Sequence, residues 1–344
     1  MLTELTDVSG FLFIGDPHLA SVAPGRRKDP DFAGTVLDKL EQAIALANAE
    51  NLQPVILGDL FHREKDSGNA LKTRLLRVFR KARKKPLCLV GNHDLEETDL
   101  TDDTALAVIA ESGCLDLLQN GPFGLFDCEG VLVGLGSTPY GKEIPQDVSG
   151  LFSRAPDQVI WVTHADIQFG QPFPQSIKPF GIRGCDMVVN GHLHKEQPSI
   201  LVDGTLWVNP GNITRVSVEA LDHVPGVLRW TPLDGLLRIP LRYQPGSEVF
   251  DLRGRLTLNA DTGELSVPSE SEFVQQLKNL TQPKTQTGAI LLAEELREVA
   301  RLEKVSNDAL FLLFSLLPEV DPASLVIEPN DPTPPLSVSS ESLL

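Results

Sequence analysis

Residues 52–63 read LQPVILGDLFHR, an apolar stretch that leads directly into a polar turn. The apolar part, residues 54–57, has the composition of a parallel strand that is buried on both faces. The turn that follows contains Asp59, His62 and Arg63. Since ligands of open α/β sheets gather beyond the carboxyl ends of the strands, these side chains are predicted to face a functional site.

The same arrangement of apolar strand and polar turn occurs four more times along the chain. The other apolar runs cover residues 11–14, 87–90, 159–162 and 187–189. The turns after them read GDPH at 15–18, GNHD at 91–94, THAD at 163–166 and GHLH at 191–194, so the five clusters contain six of the seven histidines. Ordinary loop glycines and surface histidines could explain one such cluster. Five clusters in this order predict one shared site.

The side chains in these clusters are typical ligands of divalent cations. Asp16 and His18 lie two residues apart at a strand end, so both can reach one ion, and His192 and His194 have the same spacing. Asp59 has two carboxylate oxygens and could bridge two ions. Oxygen ligands suit Mg and Mn, and imidazole extends the range to Fe, Zn and Ni. Two ions about 3.5–4 Å apart can activate water and stabilise a phosphoryl group during in-line attack.

The third cluster also offers a candidate acid. Asn92 supplies a neutral oxygen, which keeps the ligand charge low and leaves an electrophilic face for a phosphate. His93 is placed to face the leaving group, as a general acid or charge stabiliser, and Asp94 could hold the tautomer of its ring. Glycines precede the ligands in four clusters, and we expect them to allow sharp turns close to the metals: Gly15, Gly58, Gly91 and Gly191.

The chain is strongly acidic, with 47 acidic and 30 basic residues among 344 and a net charge of −17. This charge repels nucleic acids and anionic membranes at long range, so a nucleic-acid function must depend on a local basic patch or on bound divalent cations. No apolar run approaches the roughly 18 residues of a membrane span, and the first residues do not resemble a signal peptide. The four cysteines form no CxxC pair, which favours free thiols in a reducing, cytoplasmic compartment.

Strand and helix patterns alternate over about residues 1–215, which predicts an α/β fold with helices packed on sheets. Amphipathic helices are expected at 32–49, 70–84 and 103–112. We expect a catalytic domain at 1–215, a small β-rich cap or extension at 216–268, a helical region for partner docking at 269–328 and a disordered tail at 329–344.

The motifs DPH, GDLFHR, GNHD, a lone His164 and GHLH closely resemble those of the calcineurin-like metallophosphoesterase superfamily. This resemblance implies two mixed β-sheets, sandwiched and flanked by helices, with a dinuclear metal centre. It implies that the first metal is held by Asp16, His18, Asp59 and His194. It implies that the second is held by Asp59, Asn92, His164 and His192. His93 would be the catalytic histidine.

Within that superfamily, the chain is most similar to the SbcD-type nuclease subunits of DNA repair and recombination. A histidine at the position of His62 assists there in contacting the substrate phosphate. Such nucleases often carry an Arg and an acid soon after the first motif, where this chain has Arg26 and Arg27, and these two could clamp a phosphate. The segment NPGN at 209–212, followed by strands and a helical region, matches the end of those nucleases. The resemblance implies a DNA exonuclease or endonuclease, most often with Mn, an SMC-like ATPase partner and a homodimer, with no membrane association.

Two other functions remain open from the sequence. Arg63, four residues after Asp59, is typical of the protein-phosphatase branch and could bind substrate. With the overall acidity, it favours an enzyme for a small nucleotide, a cyclic nucleotide or a phosphoprotein. A non-catalytic scaffold is the third alternative, although scaffolds usually lose ligands and the set is complete here.

Overall fold

The structure is a computed structural model, and it describes residues 5–66, 68–173, 175–252, 257–258 and 265–266. The chain divides into two compact units, residues 1–252 and 253–344. The expected helical region at 269–328 and the tail at 329–344 lie outside the described residues, as does most of the cap after residue 252. The domain boundaries expected from the sequence therefore stay predictions.

Fifteen strands and four α-helices are present in the described residues. The strands are β1 (Thr6–Val8), β2 (Gly10–Ile14), β3 (Leu52–Ile56), β4 (Leu87–Cys88), β5 (Asp116–Leu117), β6 (Gly121–Cys128), β7 (Val131–Thr138), β8 (Gln158–Thr163), β9 (Met187–Asn190), β10 (Gln197–Val202), β11 (Thr205–Asn209), β12 (Gly226–Thr231), β13 (Gly235–Pro240), β14 (Thr257–Leu258) and β15 (Leu265–Ser266). The helices are α1 (Phe32–Ala49), α2 (Asn69–Phe79), α3 (Ala105–Glu111) and the short α4 (Gly246–Val249).

The first compact unit contains two mixed sheets. One has the order β13-β12-β2-β3-β4-β5, in which β2 to β5 are parallel and β12 runs antiparallel to β2. The other has the order β1-β6-β7-β8-β9-β11-β10, in which β7, β8, β9 and β11 are parallel. In the second unit, β14 and β15 pair with each other. The predicted fold class, two mixed sheets with flanking helices, is confirmed.

Alternation along β2 shows why its sequence is apolar at every position. Phe11 and Phe13 belong to the core between the two sheets, together with residues of β7, β8 and β9. Leu12 and Ile14 point to the other face and belong to the core formed with α1, α2 and α3. A strand that is covered on both sides cannot show the polar alternation of a half-exposed strand.

The two ends of α2 differ from the prediction of a helix over 70–84. The helix ends at Phe79, and the chain then turns, with the Lys81 and Ala82 N–H groups donating three residues back. Asn48 fixes this turn, because its side chain donates to the Lys81 carbonyl and accepts from the Arg83 N–H. The amphipathic pattern of the sequence continues past the end of the helix, so it does not predict the turn that Asn48 stabilises.

No helix among the described residues is both long and apolar enough to cross a membrane.

Candidate metal centre

Four predicted ligands from three strand ends converge on one point. The ligand atoms of Asp16, His18, Asp59 and His194 all lie within 4.8 Å of one another. His18 Nε2 is 2.7 Å from His194 Nε2 and 3.7 Å from Asp59 Oδ2. Asp16 Oδ2 is 4.0 Å from His194 Nε2, a gap that is too long for a hydrogen bond and that suits a cation between the two atoms.

A second group of ligands lies directly beside the first. The ligand atoms of Asp59, His164 and His192 also lie within 4.8 Å of one another. Asn92 Oδ1 is 3.1 Å from His164 Nε2 and 3.0 Å from His192 Nδ1. The oxygen that faces His18, Asp59 Oδ2, is also 3.4 Å from His164 Nε2. One carboxylate oxygen therefore belongs to both groups, and we call Asp59 the shared aspartate.

The backbone of the ligands themselves is unusual. His18, Asp59 and His192 have φ values of +46°, +47° and +67°, in the left-handed region that side chains rarely adopt. Such strain persists where the surrounding structure fixes it, and it is concentrated at functional sites. Here it turns the side chains back over the strand ends toward each other.

The glycines before the ligands serve a different purpose from the one expected, with one exception. Gly58 has a φ of +110°, as a sharp turn requires. Gly15, Gly91 and Gly191 are not in the left-handed region, but a Cβ on them would meet a neighbouring atom at 2.0, 2.1 and 2.4 Å respectively. The neighbour of Gly91 is Oδ1 of the shared aspartate. These glycines are needed because another segment passes too close for a side chain.

Hydrogen bonds behind the ligands fix the orientation of two imidazole rings, those of His164 and His192. His164 Nδ1 donates to the Leu57 carbonyl at 2.8 Å, so its Nε2 lone pair faces the site. His192 Nε2 donates to Asp166 Oδ1 at 2.9 Å, so its Nδ1 lone pair faces the site. Outer partners of this kind set the tautomer and strengthen metal binding.

The electrostatics of the two groups fit a divalent cation. Burial raises the pKa of Asp16 to about 7, with a contribution from the shared aspartate. Although burial opposes it, the shared aspartate raises the pKa of His164 to about 9. Asp16 Oδ2 is buried and has no hydrogen-bond partner among the described residues. Two buried carboxylates, one amide and four imidazoles therefore form a donor set that bound cations would neutralise.

His62 and His93 stand beside the first group. Their rings stack with centroids 5.4 Å apart and planes at 16°, and both lie against the His18 ring. His93 Nδ1 donates to the His62 carbonyl at 2.9 Å, which leaves His93 Nε2 for a substrate. Burial lowers the pKa of His62, and the charges of His93 and Arg63 lower it further. The exposed Arg63 therefore lies close enough to influence the site.

The structure gives Asp94 a different position from the one expected. Its carboxylate is buried and accepts the N–H groups of Gly91 at 3.0 Å and Phe61 at 3.3 Å. The tautomer of His93 is held by a main-chain carbonyl instead. The turn that positions His93 leaves buried N–H groups at Gly91 and Phe61 that need an acceptor. By accepting from both, Asp94 links the turn at residues 91–94 to the turn at residues 58–63.

The two arginines after the first motif occupy a separate cluster. Arg27 is 8% exposed, forms two 2.7 Å hydrogen bonds to Asp29 and donates to the Arg215 carbonyl at 2.9 Å. Its guanidinium also lies over two phenylalanine rings. Arg26 is exposed and donates to a main-chain carbonyl of residue 251 at 3.3 Å. The structure brings Arg63 to the site but holds Arg27 in a buried ion pair, while phosphate binding by Arg26 stays a prediction.

Sequence reasoning missed several residues that shape the site. Asn190 and Asn209 have buried amides that bond the main chain around His164 and His192. Asp166 stands two residues after His164, a spacing that could have indicated its role. Tyr140 lies against His164 and His192, and its loop sequence TPYG carries no motif that predicts this.

Comparison with known proteins gives one family and several distant structures. A family model described as calcineurin-like phosphoesterase matches residues 10–196. No curated protein sequence matches the chain significantly. An archaeal phosphodiesterase is 15% identical over 67% of this chain and 99% of its own, with a TM-score of 0.34. The NAD nucleotidase NadN of Haemophilus influenzae is 13% identical over 85% of this chain and 60% of its own, with a TM-score of 0.40. The protein TT1561 of Thermus thermophilus is 11% identical over 67% of this chain and 98% of its own, with a TM-score of 0.38.

Proposed function

Because the chain belongs to the calcineurin-like phosphoesterases, and is therefore a phosphoester hydrolase that uses divalent metals, we propose that it is a DNA nuclease of the SbcD type. The proposal is carried by one observation. Two ligand groups share one oxygen of Asp59, and His93 stands beside them with a free ring nitrogen. These residues would hold two cations that activate water and the phosphoryl group, with His93 placed to protonate the leaving oxygen.

Each residue has a definable part in such a reaction. Bound cations would supply Lewis acidity for the phosphoryl group and the attacking water. Asp16, His18, the shared aspartate and His194 would hold one cation, and the shared aspartate with Asn92, His164 and His192 would hold the other. His93 Nε2 would hold a proton near the leaving oxygen, while the His62 carbonyl fixes the opposite ring nitrogen.

The charge around His93 supports a diester over a monoester. A diester phosphate carries one negative charge, whereas a monoester near neutral pH carries about two. Burial lowers the pKa of His62, so its ring is mainly neutral near neutral pH. The charge of Arg63 lowers the pKa of His62 further. Bound cations would supply most of the positive charge here and a neutral His62 adds none, which suits a monoanionic phosphate.

DNA as substrate is supported by the position of His62. The histidine expected to contact the phosphate in this nuclease type stacks on His93 and lies against the His18 ring of the first ligand group. The same resemblance supports manganese, a homodimer and an SMC-like ATPase partner as parts of this proposal, and the four cysteines without a CxxC pair support a cytoplasmic location. Because the protein has a net charge of −17, bound cations must supply much of the electrostatic attraction for DNA.

The direct test is cleavage by purified protein with added Mn. We expect nicking or degradation of labelled single- or double-stranded DNA, together with hydrolysis of bis-p-nitrophenyl phosphate. His62→Ala should reduce DNA cleavage more than small-diester hydrolysis, so the small diester serves as the control within the same variant. Hydrolysis of the small diester with no cleavage of any DNA would refute the nuclease proposal, and equal losses in His62→Ala would remove His62 from DNA recognition.

A second candidate function is hydrolysis of a small nucleotide, a cyclic nucleotide or a phosphoprotein. The observation that favours it is the exposed Arg63 next to the histidine pair, since an arginine there could bind the extra charge of a monoester. Activity on a phosphomonoester or a cyclic nucleotide far above that on DNA would establish this candidate in place of the first.

A further inference from the structure

Tyr140 lies against both histidines of the second ligand group. Its ring centroid is 5.7 Å from that of His192, with the planes at 35°, and 6.1 Å from that of His164. The side chain is only partly buried. An aromatic surface that touches two expected metal ligands and remains open to solvent is available to a substrate held by that metal.

Hydrogen bonds fix the position of the main chain at Tyr140. Tyr140 comes two residues after β7 ends at Thr138, in one sheet. Its N–H donates to the Val90 carbonyl at 3.1 Å, beyond the end of β4 in the other sheet. Val90 precedes Asn92 by two residues, so the same short segment positions the aromatic ring and a predicted ligand. Thr138 is anchored in turn by a 2.8 Å hydrogen bond from the Trp161 indole.

We propose that Tyr140 is the surface on which the nucleoside next to the scissile phosphate stacks. This inference rests on the proposed phosphodiesterase function, and it adds the residue that distinguishes nucleoside-bearing diesters from other diesters. Every nucleobase has a π-face, so an aromatic ring recognises nucleosides without selecting a base sequence. Tyr140 lies against two ligands of the second group, whereas His62 and His93 lie against His18 of the first group. A strand bound across both groups would therefore contact His62 beside one group and Tyr140 beside the other.

The competing explanation is that Tyr140 only packs against His192 and keeps it oriented. The two roles differ in what they discriminate. Packing affects every substrate equally, because it acts through the metal. Stacking affects only substrates that carry a base, and it needs the ring but not the hydroxyl.

The test compares two diesters with the same leaving group. Thymidine 5′-p-nitrophenyl phosphate carries a nucleoside, and methyl p-nitrophenyl phosphate does not. We expect Tyr140→Leu to lower kcat/KM for the nucleoside diester about 5- to 150-fold more than for the methyl diester, the equivalent of about 1–3 kcal/mol of base stacking. Tyr140→Phe should retain the wild-type ratio, and both variants should retain wild-type Mn content.

Binding gives a second readout that does not require turnover. Thymidine 5′-monophosphate and methyl phosphate are titrated into the Mn-loaded protein by calorimetry, and Tyr140→Leu should weaken only the first. Equal losses for both compounds, or a loss in Tyr140→Phe as large as in Tyr140→Leu, would overturn the proposal. Wild-type protein that prefers the nucleoside diester but cleaves no DNA would refute the nuclease function and leave the role of Tyr140 standing.

Discussion

Removal of the Asp166 carboxylate should weaken the binding of one metal ion and leave the binding of the other unchanged. Asp166 accepts the Nε2–H of His192 at 2.9 Å, and this hydrogen bond leaves the Nδ1 lone pair directed at the second group. Burial lowers the pKa of His192, so the ring is mainly neutral near neutral pH and must choose one tautomer. In Asp166→Ala, the tautomer with its proton on Nδ1 becomes equally accessible, and that tautomer cannot bind the metal through Nδ1.

The size of the effect follows from the exposure of the pair. A hydrogen bond to a charged group contributes about 1.5–3 kcal/mol. The Asp166 side chain is 36% exposed and that of His192 is 20% exposed, so water can replace part of the lost interaction. We therefore take the lower end, about 1.5 kcal/mol, or roughly a tenfold loss of affinity. This agrees with the 10- to 100-fold range, roughly, for outer partners of metal ligands.

Calorimetric titration of metal-free protein with Mn measures this loss. Wild-type protein should bind two ions, and Asp166→Ala should bind one with unchanged affinity and one about tenfold more weakly. Asp166→Asn keeps an acceptor oxygen and should fall between the two. The exposed Asp222 provides the control, since Asp222→Ala removes the same charge at a residue that belongs to neither ligand group. A wild-type titration curve for Asp166→Ala, or an equal weakening of both ions, would refute the reasoning.

Three further predictions concern the same centre. His93→Ala should retain both metals by elemental analysis and lose roughly 10²- to 10⁴-fold in turnover, and full activity would show that no acid acts there. Gly91→Ala should lose metal and activity because its Cβ would meet the shared aspartate at 2.1 Å, whereas Gly124→Ala, with open space around it, should behave as wild type in the same assays. Mn affinity should rise between pH 6 and 9, since burial raises the pKa of Asp16 to about 7 and, against burial, the shared aspartate raises that of His164 to about 9. Both protons must leave before the metal binds, so calorimetry in two buffers should detect proton release, and a pH-independent affinity would contradict this.

The sequence predicted the strands and the ligand clusters because these features are local. A buried parallel strand such as β2 has apolar residues along its length, and the polar cluster that follows the strand can be read directly from the sequence. The convergence of Asp16, Asp59 and His192 could be inferred because parallel strands end at the same side. That two separate sheets supply those ends was implied only by the family resemblance.

Other features depend on contacts between distant segments, and no local pattern reports them. From the sequence, the charge of Arg27 was compatible with phosphate binding. In the structure, Asp29 and the Arg215 carbonyl hold Arg27 in a buried cluster. Asp94 was expected to support its neighbour His93, yet the turn directs its carboxylate to the buried N–H groups of Gly91 and Phe61. Tyr140 reaches the site only because its N–H pairs with a strand end of the other sheet.

A crystal structure of the Mn-loaded protein, with anomalous diffraction recorded at the Mn edge, tests the dinuclear centre most directly. We predict two anomalous peaks, one among Asp16, His18 and His194 and one among Asn92, His164 and His192, with the shared aspartate bound to both. A single peak, or two peaks that do not share this carboxylate, would contradict the dinuclear centre.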